Sequence, residues 1–161
     1  MLKMKRFKHQ LALWGLALMA VFALSACENE DTDTAYDLNG IWQGEIRGSY
    51  YSHRYGVTTE QWDTEIQFCQ DGAFANGGWG EQRDYNRYNR FYRCYRFDWW
   101  VNYGQILIEY SDGYRVIIRD YDLYGVGRGM RFRGYMDGYD DRNFSASFDL
   151  VKVSNWTDWD Y

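Results

Sequence analysis

Apolar and polar residues alternate along most of the chain after residue 38. In the first alternating segment, Trp42 and Ile46 share one face, and Glu45 and Arg47 lie on the other. A period of two is typical of a β-strand with one buried face. Similar segments recur along the rest of the chain, and none shows the spacing of an amphipathic helix. We therefore expect one all-β domain over residues 38–161.

Short turn signals separate these segments and predict hairpins between consecutive strands. They are Asp71-Gly72, Asn102-Tyr103-Gly104 and Ser111-Asp112-Gly113. About eight strands are expected, and the third is expected to run through Phe74 and Trp79. An antiparallel up-and-down meander of this size is expected to close into a barrel, because closure removes the edges of an open sheet. The charged faces favour a barrel in water over one that spans a membrane.

Six bulky side chains are expected to point into the barrel: Trp42, Trp62, Phe97, Trp99, Phe132 and Phe148. A barrel of eight strands has room inside for side chains or for one small molecule. We therefore expect a packed interior with, at most, a small pocket at one mouth.

Residues 1–26 are organised like a secretory signal peptide. Basic residues precede an apolar run, Leu11–Leu24, which is expected to be helical. The run has about 14 residues, whereas a membrane-spanning helix needs ~20. The small residues Ser25 and Ala26 then precede Cys27.

Leu24-Ser25-Ala26-Cys27 resembles the lipobox of bacterial lipoproteins. The resemblance implies that cleavage leaves Cys27 as the first residue and that fatty acids such as palmitate are attached there. Two or three acyl chains hold a protein firmly on a membrane. An ordinary signal peptide or an uncleaved anchor is the alternative.

Residues 27–37 are expected to form an acidic, flexible tether, because such a polar composition buries little surface. Acidic residues directly after the lipidated cysteine also resemble the surface-export signal of lipoproteins in some Gram-negative bacteria. Asp33-Thr34-Ala35 resembles their O-glycosylation motif, which would place a glycan on Thr34. These resemblances imply an outer-membrane lipoprotein that faces the cell surface. A solvated linker is the alternative.

Gly40-Ile41-Trp42, together with Gly44 and Asp120-Tyr121, resembles the motifs of lipocalin-like proteins. Across the predicted domain, the chain is similar to small, uncharacterised lipocalin-like lipoproteins of gut-type Gram-negative bacteria. The resemblance implies a lipocalin-like barrel and leaves the function open. Lipocalins place an arginine over the first tryptophan. Here Arg142 precedes the last strand and Lys152 lies within it, and neither is a clear match.

Few residues point to catalysis. His53 is the only histidine after residue 26, and no nucleophile elbow accompanies it. One histidine and two further cysteines do not fill a zinc site without carboxylates. Asp137, Asp140 and Asp141 share a loop but lack the spacing that wraps calcium. We therefore expect no enzyme activity, no metal and no cofactor.

Cys69 and Cys94 are candidates for a structural disulfide, because thiols outside the cytoplasm often oxidise. If a third strand lies between their strands, the separation approaches ~9.6 Å, which is too far to bridge. The sequence leaves both outcomes open.

Arginine and tyrosine are interleaved densely between Glu81 and Arg96. In one interpretation, the arginines lie over tyrosine faces on the outside of the barrel as cation–π pairs. In another, the rings form a platform for a glycan or another small ligand. The candidate residues of that platform are Tyr85, Arg87, Tyr88, Arg90 and Trp100.

Charge narrows the choice of partner. Loss of residues 1–26 removes four of the 18 Lys and Arg residues and none of the 23 Asp and Glu residues, which leaves a net charge of −9. Such a chain gains little from phosphate groups, so we expect no nucleic-acid partner. The sequence favours a non-catalytic binding module that is anchored to the membrane by lipid. The alternative is a structural lipoprotein that partners another envelope protein.

Overall fold

The computed structural model describes residues 30–52, 56–86, 92–140 and 144–155. Its strands are β1 (Gly40–Ser52), β2 (Gly56–Gln70), β3 (Gly77–Tyr85), β4 (Tyr92–Asn102), β5 (Gln105–Tyr110), β6 (Arg115–Tyr124), β7 (Arg131–Gly138) and β8 (Ser145–Ser154). Each strand pairs antiparallel with the next, and β8 also pairs with β1, which closes the barrel. The predicted all-β antiparallel meander is confirmed.

The inward faces of the strands form one apolar core. Five of the six bulky residues expected inside are buried: Trp42, Phe97, Trp99, Phe132 and Phe148. Trp62 is partly buried and packs against the same cluster. Phe68 joins them with its ring centroid 5.2 Å from that of Trp99. The expectation of a packed interior is therefore confirmed.

The third strand begins later than the sequence suggested. Phe74 lies in the β2–β3 loop, exposed to solvent, and β3 starts at Gly77. The loop extends to Asn76, whose side-chain amide donates a hydrogen bond to the carbonyl of Val101 at 2.8 Å. The expectation that the third strand includes Phe74 is therefore wrong, because the turn at residues 71–72 continues into a longer loop held against the end of β4.

A short helix, α1, covers residues 30–38 where part of a flexible tether was expected. Asp31, Ala35 and Leu38 are four and three residues apart and share one face of the helix. All three are buried against the barrel. Two apolar residues in an acidic segment are too few to show a helical period in the sequence. Residues 27–29 of the expected tether lie outside the described residues.

The buried carboxylate of Asp31 holds the start of α1 against the β4–β5 turn. Its two oxygens accept hydrogen bonds from the backbone N–H groups of Tyr103 at 2.8 Å and Gly104 at 2.7 Å. The composition of this acidic segment suggests a solvated linker, but Asp31 makes a tertiary contact that holds α1 in place.

The other end of α1 is joined to the barrel through Trp42 and Lys152. The indole Nε1 of Trp42 donates a hydrogen bond to the carbonyl of Leu38 at 2.7 Å. The ammonium of Lys152 donates to the carbonyl of Asp37 at 2.6 Å and lies 5.2 Å from the centre of the Trp42 ring. Burial lowers the pKa of Lys152 from its usual 10.5, although the nearby Asp37 opposes the shift. Lys152 therefore supplies the cation over Trp42, the first tryptophan of the barrel. The other candidate, Arg142, lies outside the described residues.

Gly40 joins α1 to β1, and a side chain would not fit there. Its φ is +132°, which residues with a Cβ rarely adopt. A Cβ would also collide with the carbonyl oxygen of Ser154. The glycine that opens the Gly-x-Trp pattern is therefore required by the close approach of β8.

The two ends of the barrel differ. At the first, here called the capped end, α1 lies among the β2–β3, β4–β5 and β6–β7 loops. The opposite end, here called the mouth, carries the other four strand connections. Within the described ranges, no helix is long and apolar enough to cross a bilayer.

Candidate functional site: an aromatic pocket in the barrel mouth

The mouth opens into a cavity of about 360 Å³. Its aromatic lining consists of Trp62, Tyr95, Tyr110, Tyr114 and Phe144. Its polar lining consists of Glu60, Gln82, Asp84, Arg93 and Asp112. Ile46, Val116 and Met136 complete the lining on the side of the core. The small pocket expected at one mouth is therefore present, and it combines apolar walls with convergent polar groups, as ligand sites do.

Four of the rings form a continuous wall, here called the aromatic arc: Tyr95, Tyr110, Tyr114 and Phe144. The ring centroids of Tyr95 and Tyr110 are 5.9 Å apart, and those of Tyr110 and Tyr114 are 6.4 Å apart with the planes only 25° from parallel. Tyr114 meets Phe144 edge to face at 5.9 Å. Each contact of this kind contributes ~0.5–1.5 kcal/mol and restricts ring rotation. The arc is therefore shaped before any ligand arrives.

The β5–β6 hairpin places two of these rings side by side. Gly113 has a φ of +85° and donates its N–H to the carbonyl of Tyr110 at 2.8 Å. The N–H of Tyr110 donates to the carbonyl of Tyr114 at 2.8 Å. The carboxylate of Asp112 accepts the N–H of Tyr114 at 3.0 Å. The Ser-Asp-Gly turn recognised in the sequence thus fixes the spacing of the two tyrosines.

A glycine makes room for the rings on the other side of the mouth. A Cβ at Gly48 would lie 3.2 Å from Cζ3 of Trp62 and 3.6 Å from Cε2 of Phe144. The first distance is tighter than an ordinary carbon contact. The missing side chain therefore lets both rings close over β1.

A hydrogen-bond network from three strands lies beneath the arc. The hydroxyl of Tyr110 donates to Oε1 of Gln82 at 2.7 Å. The Nε2 of Gln82 donates to both carboxylate oxygens of Asp84, at 2.9 and 3.1 Å. The hydroxyl of Thr64 donates to Oδ1 of Asp84 at 2.9 Å. Because each buried group has a partner, the network holds the carboxylate in one orientation at the edge of the cavity.

Desolvation dominates the electrostatics of this network. It raises the pKa of Asp84 above its usual 3.8, and the hydrogen bonds from Gln82 and Thr64 and the charge of Arg93 offset it only in part. Desolvation also raises the pKa of Tyr110 well above 10.0, and Asp84 adds to the shift. The phenol therefore stays protonated and remains a donor to Gln82.

Carboxylates outnumber cations in the described lining. Glu60, Asp84 and Asp112 face the cavity with one guanidinium, that of Arg93. Arg93 lies directly opposite Asp84 in the β3–β4 register. This described part of the lining therefore favours hydrogen-bond donors and positive charge on a ligand.

The structure separates the residues of the predicted ligand platform. Tyr85 is exposed on the outer face at the mouth end of β3. Trp100 pairs with Gly77 at the other end of the same strand, eight residues away. At ~3.3 Å per residue, the two positions are about 26 Å apart. Arg87, Tyr88 and Arg90 lie outside the described residues.

In the described part of that stretch, Arg83 and Arg96 contact a carboxylate, and Arg93 donates a hydrogen bond to the hydroxyl of Tyr95 at 3.5 Å. Arg83 and Arg96 approach the two oxygens of Glu81 at 2.8 and 3.8 Å. Cation–π pairs do occur on the outer surface: Arg115 lies 4.8 Å from the ring centre of Tyr139.

Cys69 and Cys94 are not joined by a disulfide. Their strands flank β3, where Cys69 pairs with Trp79 and Cys94 pairs with Arg83. Two strand spacings, ~9.6 Å, and four residues along the strand separate them, far beyond the reach of a bridge. The candidate disulfide is therefore wrong. The thiol of Cys94 instead takes part in a hydrogen bond with Glu81.

The predicted glycosylation site, Thr34, lies away from the pocket. Thr34 is half-buried in α1 and hydrogen-bonds with Tyr121. Cys27 and His53 lie outside the described residues. Among the described residues, no group of three or more His, Cys, Asp or Glu side chains is placed to hold a metal.

Sequence reasoning missed the residues that form the polar network. Gln82 and Asp84 are spaced by two, and the register of β3 with β2 places both on the inward face. Polar residues at inward positions are therefore the signal that could have found them. No protein-family model matches the chain, and no curated protein is similar to it in sequence.

Proposed function

We propose that this chain is a lipid-anchored envelope protein that binds a small ligand in the mouth of its barrel without catalysing a reaction. The single observation that carries the proposal is the buried carboxylate of Asp84, held by three hydrogen bonds beside the aromatic arc. The lipobox-like residues around Cys27 support an anchor in the outer membrane with the barrel at the cell surface. The pairing of Lys152 with Trp42 supports a lipocalin-like relationship.

The cavity fits a ligand with one apolar face and several donor groups. Its volume of about 360 Å³ is at the small end of ligand pockets, which span roughly 300–1,000 Å³. Aromatic walls attract cations as well as sugar rings. Because carboxylates predominate in the described lining, an amine-bearing ligand, such as an amino sugar or an aromatic amine, is preferred over a neutral one.

Calorimetric titration of the chain from residue 28 onward tests this function. The probes are neutral monosaccharides, amino sugars and aromatic amines of similar size. An amine-bearing member should bind best, and Asp84→Asn should weaken it by about tenfold or more, because a charged hydrogen bond contributes ~1.5–3 kcal/mol. Tyr114→Ala should weaken it too, whereas Tyr135→Ala, on the exposed outer wall, should not.

Binding that responds to Tyr135→Ala but not to Asp84→Asn would move the site to the outer surface. If no probe class bound, or if neutral sugars bound as well as amines, the proposed ligand chemistry would be refuted.

A second candidate function, contact with another envelope protein, is favoured by a broad depression on the outer wall. It spans β1, β6, β7 and β8 and has a volume of about 750 Å³. Gly134 lies within it, opposite the register shift between Ile118 and Tyr121. Tyr135 lines it with 61% of its surface exposed. Cross-linking in intact cells that recovers one protein partner, and that Arg133→Glu abolishes, would support this function.

A further inference from the structure

The capped end carries the most exposed large apolar side chains of the described residues. Phe74 in the β2–β3 loop is 93% exposed, and Val126 in the β6–β7 loop is 89% exposed. Tyr103, at the tip of the β4–β5 turn, is 74% exposed. These three residues, here called the apolar rim, come from three separate loops at one end of the barrel.

The chain enters the barrel among these loops. Asp31 is bonded to the backbone of Tyr103 and Gly104, so the first described residue, Glu30, lies beside the β4–β5 turn. The loops of Phe74 and Val126 flank that turn in the strand order. Cys27 precedes Glu30 by three residues, and three residues span at most ~11 Å. A lipid on Cys27 therefore holds this end, and no other, against the membrane.

We propose that the capped end is a membrane-contact surface whose apolar rim rests in the interfacial layer of the bilayer. The proposal depends on the lipid anchor of the proposed function. Tyrosine is enriched in that layer because it joins an apolar ring to a polar hydroxyl, so Tyr103 suits it, and Phe74 and Val126 add apolar surface. The anchor also keeps the rim at a high local concentration near lipid, so a contact too weak to bind by itself is populated.

This orientation fixes the direction of the ligand pocket. β4 has 11 residues and runs from the mouth to the capped end. At ~3.3 Å per residue and the usual strand tilt, the mouth stands roughly 25 Å from the capped end. The pocket therefore opens away from the bilayer, toward ligands in the surrounding water.

Site-directed spin labelling of the full lipidated chain in phosphatidylcholine vesicles tests the contact. One nitroxide is placed with Phe74→Cys, and a matched control is placed at the mouth with Val57→Cys, because Val57 is also exposed, at 73%. Both carry Cys94→Ser so that the exposed native thiol is not labelled. On vesicles, the probe at position 74 should become several-fold more accessible to oxygen and several-fold less accessible to a water-soluble nickel reagent than on the soluble chain. The probe at position 57 should not change.

Water-like accessibility at position 74 on vesicles would overturn the membrane contact. Spin–spin broadening that grows with protein density would show that a second copy covers the rim, and would also overturn it. Mass spectrometry of the labelled samples separates the two proposals. Acylated Cys27 with a water-exposed probe at position 74 refutes only the contact, whereas unmodified Cys27 refutes the anchor as well.

Discussion

Replacement of Asp31 by alanine tests whether α1 is part of the folded domain. Its carboxylate accepts the N–H groups of Tyr103 and Gly104 at 2.8 and 2.7 Å. Tyr103 has a φ of +50°, which is uncommon for a residue other than glycine. The carboxylate therefore stabilises an unfavourable turn as well as the position of the helix, and Asp31→Ala should weaken both.

The structure gives the size of the effect. A hydrogen bond to a charged group contributes ~1.5–3 kcal/mol. Because Tyr103 and Gly104 are exposed, water can replace the carboxylate, and the lower end of that range applies. Loss of two such bonds should lower the free energy of unfolding by about 3 kcal/mol. Asp31→Asn keeps one acceptor oxygen and should lose about half as much.

Urea unfolding of the chain from residue 28 onward, followed by near-ultraviolet circular dichroism, measures this change. Asp33→Ala is the matched control, because Asp33 is an exposed acidic residue on the same helix. It should change the free energy of unfolding by no more than ~0.5 kcal/mol. Hydrogen exchange at residues 30–38 should quicken in Asp31→Ala while exchange in the β-strands is retained.

Equal effects of Asp31→Ala and Asp33→Ala would refute the reasoning. The acidic segment would then behave as the flexible tether that its composition suggests, and the contact with the β4–β5 turn would contribute nothing measurable.

Three further predictions concern buried charge and backbone geometry, and urea unfolding checks each. Because the pKa of Lys152 is lowered in the folded chain, the unfolded chain binds more protons between that lowered value and 10.5. The free energy of unfolding should therefore rise with pH in this window. The rise should disappear in Lys152→Met, and a rise that persists in this variant would belong to another group. The raised pKa of Asp84 has the opposite effect on stability. Between pH 3.8 and the raised value the folded chain binds more protons, so the free energy of unfolding should fall as pH rises. Asp84→Asn should abolish that fall, and an unchanged profile would contradict the desolvation argument. Gly40→Ala should lower the free energy of unfolding by about 2–4 kcal/mol, because position 40 has a positive φ and the added Cβ would collide with β8. Gly72→Ala, with open space around it, should lower it far less. Equal losses in the two variants would contradict the steric argument.

The alternation of apolar and polar residues was sufficient to predict the strands and the barrel. A period of two assigns Trp42 and Phe148 to the interior, and both are buried. Side-chain direction in a strand is a local property, so it can be read without knowing which strands are neighbours. The Ser-Asp-Gly turn was found for the same reason, because turn chemistry acts over a few residues.

Only the tertiary structure decided which inward side chains meet in the barrel. Thr64 pairs with Asp84 in the register of β2 with β3, and the hydroxyl of Tyr110, on β5, reaches Gln82 two residues from Asp84. Asp31 meets the β4–β5 turn 72 residues away for the same reason. Alternation specifies the face of a strand on which a side chain lies but not its height along the barrel axis. That height depends on strand register and closure, which are set by the packing of the whole chain.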